Sequence, residues 1–237
     1  MSDKSSFPGF PRECLTFFRE LRRNNNRVWF EEHRAGFERA VMDPARSFVV
    51  AMGARLERIA PGVHADPRVD RSIFRIFRDT RFSPDKTPYK TNLGLWFWEG
   101  EGPRTECSGF YVHIEPGSFF LGVGVYVFPR DLLDAYREAA VDPRHGKALG
   151  KAVRDCLRVP GCSIGGRHYK RVPRGHDPQH ANAELLLHTG LYAGTDGMPP
   201  RELFTPRVLD ICEEQFAALL PLHGWLLALT ERARAER

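Results

Sequence analysis

The chain has little cysteine and no cysteine pairing pattern. Its five cysteines, at 14, 107, 156, 162 and 212, are odd in number, widely spaced and without a C-x-x-C. That argues against a disulfide framework and a cysteine-built zinc site; the thiols read as reduced and mostly buried, in a cytoplasmic protein. No run approaches the roughly 18 apolar residues of a membrane span, so no membrane partner is expected. The opening Met1-Ser2-Asp3-Lys4-Ser5-Ser6 has no apolar stretch followed by small residues. Residues 1–9 therefore read as a loose lead-in rather than a secretory signal. No internal repeat, low-complexity tract or long linker breaks the 237 residues, and one α+β domain over residues 10–230 is expected. Also missing are the specific catalytic signatures G-x-x-x-x-G-K-[ST], G-x-G-x-x-G after a strand, G-x-S-x-G and H-E-x-x-H.

What is present is ordinary globular composition with unevenly placed charge. The net charge is +5. Residues 71–92 carry six basic side chains against Asp79 and Asp85, a net of +4, and residues 167–177 carry four against Asp177, a net of +3. The remainder of the chain is therefore net acidic. Positive charge concentrated in this way suits an anionic partner.

Helices come first, strands next and helices last. Pro11 opens a helix with Leu15, Phe18 and Leu21 on one face. Asn24-Asn25-Asn26 breaks it, and Asn26 caps a second helix carrying Trp29, Phe30, Phe37 and Val41. Asp43-Pro44 reads as a fresh start for a third, with Phe48, Met52, Leu56 and Ile59. Phe74 and Ile76 alternate with arginines as a strand would, and Leu93–Trp98 is an apolar run. Phe110–Ile114 and Phe119–Val127 flank Glu115-Pro116-Gly117-Ser118, a type II turn signal that predicts an antiparallel hairpin. Gly122 and Gly124 predict a bend or a close backbone approach. Helices are expected after Pro129 and after Asp142-Pro143, the latter to about Leu157. An extended piece follows over Ser163–Val172, then a short helix over Asn182–His188, a helix from Thr205-Pro206 and a last one after Pro221. This order predicts an α+β fold, an antiparallel β-sheet covered by N-terminal and C-terminal helices.

The densest chemistry lies between Arg75 and Thr91. Arg78 and Arg81 offer planar donor forks, the geometry that grips phosphate or carboxylate. Arg75, Lys86 and Lys90 add charge and Tyr89 an aromatic ring. Thr80, Ser83, Thr87 and backbone N–H groups could complete an anion nest, stiffened by Pro84 and Pro88. Asp79 and Asp85 are the candidate catalytic bases or Mg²⁺ ligands; equally, they can pair with the arginines in a purely structural network. Lys170 and Arg171, within the second basic segment, would line a groove if the two segments met. Trp96, Phe97 and Trp98 with Tyr89 offer either a stacking platform for a nucleobase or sheet core. His113 and Glu115 share a strand face and could form an acid/base pair. His176 and His180 lack a third ligand, so no metal site is assigned, and no cofactor is implied.

The string Arg78-Asp79-Thr80-Arg81-Phe82-Ser83-x-Asp85-Lys86-x-Pro88-Tyr89-Lys90-Thr91 resembles the signature of the bacterial DUF2461 family of conserved hypothetical proteins, also called TIGR02453. Asn25-Asn26-x-x-Trp29-Phe30, Leu121-Gly-Val-Gly-Val-Tyr126 and Tyr169-Lys170-Arg171-Val172-Pro173-Arg174-Gly175 support the resemblance, which covers roughly residues 10–230. Pro84 departs from it by standing where a lysine or similar residue would be. The resemblance implies one cytoplasmic α+β domain and no particular activity. The expectation from residues and resemblance together is binding of an anionic small molecule, nucleotide-like, or of nucleic acid in a basic groove. The alternatives are an enzyme with an Arg/Lys clamp and an Asp base, or a structural protein whose Arg/Asp motif only stabilises the fold.

Overall fold

The computed structural model describes residues 7–235. Residues 1–6 of the expected lead-in lie outside the described residues. Phe7, within it, is buried, its ring edge-on to Phe10 and Phe48 at 5.1 and 5.3 Å.

The helices start where the sequence places chemistry for starting them. Helix α1 (Arg12–Arg23) follows Pro11 and buries Leu15, Phe18 and Leu21. Asn26 caps α2 (Arg27–Glu32), its side chain accepting from the Trp29 N–H at 3.0 Å, one of the donors a helix start leaves unsatisfied. After a break at His33, α3 (Arg34–Phe37) runs through a π-helical turn, Glu38–Met42, into α4 (Asp43–Leu56). The expected fresh start at Asp43-Pro44 is therefore a continuation. Proline removes one i→i−4 donor and crowds the preceding carbonyl, and the wider turn just before it accommodates both. Phe48, Met52 and Leu56 are buried, and the helix ends before Ile59.

The strands are β1 (Val63–His64), β2 (Leu93–Glu99), β3 (Gly109–Glu115), β4 (Ser118–Val125), β5 (Cys162–Arg167) and β6 (His188–Gly197). They form a six-stranded antiparallel sheet in the order β1-β2-β3-β4-β6-β5. With its helices this is an α+β fold. Pro116-Gly117 turns β3 into β4, with Gly117 at φ +104° as the turn requires. The alternation at Phe74 and Ile76 does not make a strand. Ile73 forms a single bridge to Leu95, and the chain then leaves the sheet edge.

The described residues fall into two compact units. The first holds residues 7–97, Tyr111–Phe120 and Asp196–Glu214; the second holds Trp98–Phe110, Leu121–Thr195 and the chain from Gln215. In the first, Phe48 of α4 packs toward Phe97 of β2, ring centroids 6.5 Å apart. In the second, Phe110 of β3 lies edge-on to Phe216 at 5.2 Å. Phe216 belongs to α7 (Val208–Ala235), a continuous helix with Pro221 inside it, where two helices were expected.

The second unit also holds α5 (Arg130–Val141) and α6 (His145–Leu157). Asp142 caps α6 by accepting from the Arg144 and His145 N–H groups at 2.9 and 2.6 Å. The short helix expected over 182–188 is one 3-10 turn, Leu185–Leu187, and the chain from His188 is strand β6. Glycines 190, 194 and 197 weaken the strand pattern there. Gly124 is the close approach its strand predicted: a Cβ at that position would lie 2.3 Å from the Leu191 carbonyl oxygen, and φ is +142°.

Candidate functional site

The basic loop belongs to the first unit. It leaves the β2 edge through the Phe74 N–H donating to Gly94 O at 3.0 Å. The Phe77–Tyr89 bridge, with Arg78 N–H donating to Pro88 O at 2.9 Å, closes it into a hairpin. Tyr89 is 2% exposed and stacks on Phe30 at 4.2 Å. Its aromatic ring is thus in the core, and its backbone is clamped on both sides by the Asn25 amide.

Inside the hairpin the side chains sort by role. The Arg78 guanidinium, 26% exposed, bonds the Asp85 carboxylate and the Thr87 hydroxyl. Asp85 also accepts from the Thr87 N–H at 2.9 Å, and Lys86 donates to Thr80 O at 2.9 Å. These bonds brace the loop from within. At the tip, Arg81 is 77% exposed; it pairs with the Asp79 carboxylate two residues back, at 2.8 and 3.0 Å, and lies 5.8 Å over the Phe82 ring. Phe82 beside it is 93% exposed. Arg75 is exposed and forms no ion pair among the described residues. Lys90 lies over the Phe74 ring at 5.5 Å.

Both aspartates are held at about 2, below the usual carboxylate range. For Asp79 the main cause is the Arg81 side chain; for Asp85 it is the Thr87 N–H, then Arg78. Carboxylates held that low are permanently ionised near neutrality and poor proton acceptors.

The second basic segment belongs to the second unit. Strand β5 ends at Arg167, so the strand stops short of the extended piece expected through Val172. The His168 and Tyr169 N–H groups both donate to Leu187 O at 2.9 Å, Arg167 pairs with Glu184, and Arg137 lies 5.3 Å over the Tyr169 ring. Lys170 and Arg171 are exposed and form no ion pair among the described residues. Asp177 accepts from the Gln179 N–H at 2.8 Å, and His180 from the Asn182 N–H at 3.0 Å. Among the described residues no cluster of three or more His, Cys, Asp or Glu is arranged to hold a metal ion.

Of the four aromatic residues of the candidate platform, Tyr89, Phe97 and Trp98 are buried and Trp96 is half-exposed. The five cysteines are free and four are buried; burial raises Cys14 to about 12 and Cys156 to about 11. Such thiols are protonated and poor nucleophiles.

Sequence reasoning missed one constellation. In the second unit Ser108 and His223 Nδ1 are 2.9 Å apart, and His223 Nε2 is 2.6 Å from Glu99 Oε2. Hydroxyl, imidazole and carboxylate in a chain are the parts of a nucleophilic triad, but Ser108 is fully buried. The arrangement ties the end of β2 and the residue preceding β3 to α7 through polar groups that satisfy one another. Its members lie up to 124 positions apart, and no local motif joins them.

The sequence pattern of the DUF2461 family, described as a conserved hypothetical protein, matches residues 13–225, and the chain belongs to that family. No curated protein and no solved structure matches it. No helix among the described residues is long and apolar enough to cross a membrane.

Proposed function

We propose that the hairpin over residues 75–91 binds a phosphate-bearing anion, with Arg78, Asp85, Thr87 and the Lys86–Thr80 bond as its frame and Arg75, Arg81 and Lys90 as its binding face. The observation carrying this reading is the division of labour between two arginines: Arg78 is committed to internal bonds while Arg81 stands at an exposed tip with a fork of donors. A braced loop loses little entropy on binding, and a ligand phosphate can displace the solvent-screened Asp79 carboxylate from Arg81. The reading in which the motif only stabilises the fold rests on the same internal pairing of Arg78 and on the buried Tyr89. The reading in which Asp79 or Asp85 acts as a base is disfavoured by their depressed pKa values. In the second unit Lys170 and Arg171 supply a further exposed basic surface.

Thermal shift separates these readings, because a ligand bound only by the native state raises the melting temperature by mass action. Phosphate and sulfate at low salt should raise it in the parent protein and fail to do so in Arg81→Ala. No shift with either anion, alongside an unfolded Arg81→Ala, would leave the motif structural.

A further inference from the structure

The hairpin springs from one end of a half-exposed aromatic surface that the anion reading leaves unused. Strand alternation puts Tyr111 and His113 on the same side of β3, with Trp96 beside them on β2 and Phe120 on β4. Tyr111 sits at the centre, its ring 6.0 Å from Phe74, 6.5 Å from Trp96, 6.2 Å from Phe120 and 6.1 Å from His113. All five residues are half-exposed. Gly94 makes room for the arrangement. A Cβ there would come within 2.9 Å of the Tyr111 hydroxyl and 3.1 Å of the Phe74 ring.

The surface has one polar margin. His113 Nδ1 is 3.2 Å from the Tyr111 hydroxyl and 3.4 Å from the Asn92 amide nitrogen, and both can donate to it. That leaves the Nε2–H pointing toward Glu115, 3.7 Å away. Burial lowers the pKa of His113, with Glu115 opposing in part, so the imidazole is neutral near pH 7. Lys90, two residues before Asn92, lies over Phe74 and belongs to the segment with net charge +4.

Flat aromatic rings, an amide and a neutral imidazole, and cations that begin two residues from that amide match a ligand with three parts. A heteroaromatic ring would stack, its hydrogen-bonding edge would meet Asn92 and His113, and its phosphate would reach the loop. We infer that this face of the first unit takes the base of a nucleoside phosphate, Tyr111 and Trp96 supplying the stacking surface and the 75–91 hairpin holding the phosphate. The inference rests on the anion reading of that hairpin and names its ligand class. Free nucleotide and single-stranded nucleic acid present the same chemistry.

The test is a titration of the full chain, by calorimetry and tryptophan fluorescence, with inorganic phosphate, ribose 5-phosphate, adenosine, adenosine 5′-monophosphate and a six-nucleotide single strand. Stacking one base contributes about 1–3 kcal/mol, so adenosine 5′-monophosphate should bind about 5- to 150-fold tighter than ribose 5-phosphate. Tyr111→Leu should close that gap and leave ribose 5-phosphate binding intact, whereas Arg81→Ala should weaken both phosphates alike. Because Tyr111→Leu can disturb the sheet, Trp96→Phe provides a second check: it should retain nucleotide binding while losing most of the fluorescence quenching. Equal affinity for the nucleotide and ribose 5-phosphate overturns the base site and leaves the anion reading standing. Failure of every phosphate, inorganic included, overturns both. Adenosine binding as tightly as its phosphate overturns the link between face and loop. A single strand that binds more tightly than the nucleotide, with a steep salt dependence, identifies nucleic acid as the source; equal binding identifies the free nucleotide.

Discussion

The side-chain amide of Asn25 grips the backbone of Tyr89 from both directions, Nδ2 donating to the Tyr89 carbonyl at 2.9 Å and Oδ1 accepting from its N–H at 3.0 Å. Two stretches of family-like sequence, 64 positions apart, are therefore one structural device. It fixes the returning strand of the basic hairpin to the start of α2. Asn25→Ala leaves a half-buried donor and acceptor without that partner, and should cost about 1–3 kcal/mol. Denaturant unfolding measures the loss, and faster amide exchange over residues 78–88 should accompany it. An unchanged midpoint would show that the Phe30–Tyr89 stack alone holds the loop.

Arg78 and Arg81 should separate cleanly on substitution. Arg78→Ala removes the bonds to Asp85 and Thr87 and should lower the melting temperature by several degrees. Arg81→Ala removes only a solvent-exposed, screened ion pair and should leave it within a degree or two. Anion affinity should fall in the Arg81 variant even though its fold is unchanged.

Acid should loosen the hairpin at an unusually low pH. Asp79 and Asp85 sit at about 2 in the folded chain, against an ordinary aspartate value of 3.8. Between those values the unfolded chain binds more protons than the folded one. Stability from these groups is therefore complete above about pH 4 and is lost as pH falls toward 2. Carboxyl chemical shifts followed by NMR should titrate in that window, and Asp79→Asn with Asp85→Asn should flatten the acid limb. Both groups are solvent-exposed, so added salt should weaken the effect.

The buried Ser108–His223–Glu99 chain should matter to folding rather than turnover. His223→Ala deprives the buried Glu99 carboxylate of its imidazole partner and should destabilise by about 3–5 kcal/mol. Ser108→Ala, removing one neutral hydroxyl, should cost about 1 kcal/mol. Unfolding curves for the two variants test that ranking, and a milder His223→Ala would contradict it.

Local sequence determined what local chemistry can encode. The caps at Asn26 and Asp142, the turn at Pro116-Gly117 and the family string at 78–91 are legible because each acts within a few residues of itself. The prolines at 44 and 221 misled as helix boundaries, because buried residues on either side, Val41 and Phe48 or Leu219 and Leu222, favour continuing the helix over breaking it. Strand β6 was hidden by its glycines. Gly190 is required where a Cβ would meet the Tyr126 carbonyl oxygen at 1.9 Å, a demand set by a strand more than sixty positions away. Within the basic string the sequence shows five cations and two acids with equal claims. Only the tertiary structure makes Arg78 a brace, Arg81 an exposed tip and Tyr89 a core residue, because burial depends on partners such as Asn25 and Phe30 that lie far away along the chain.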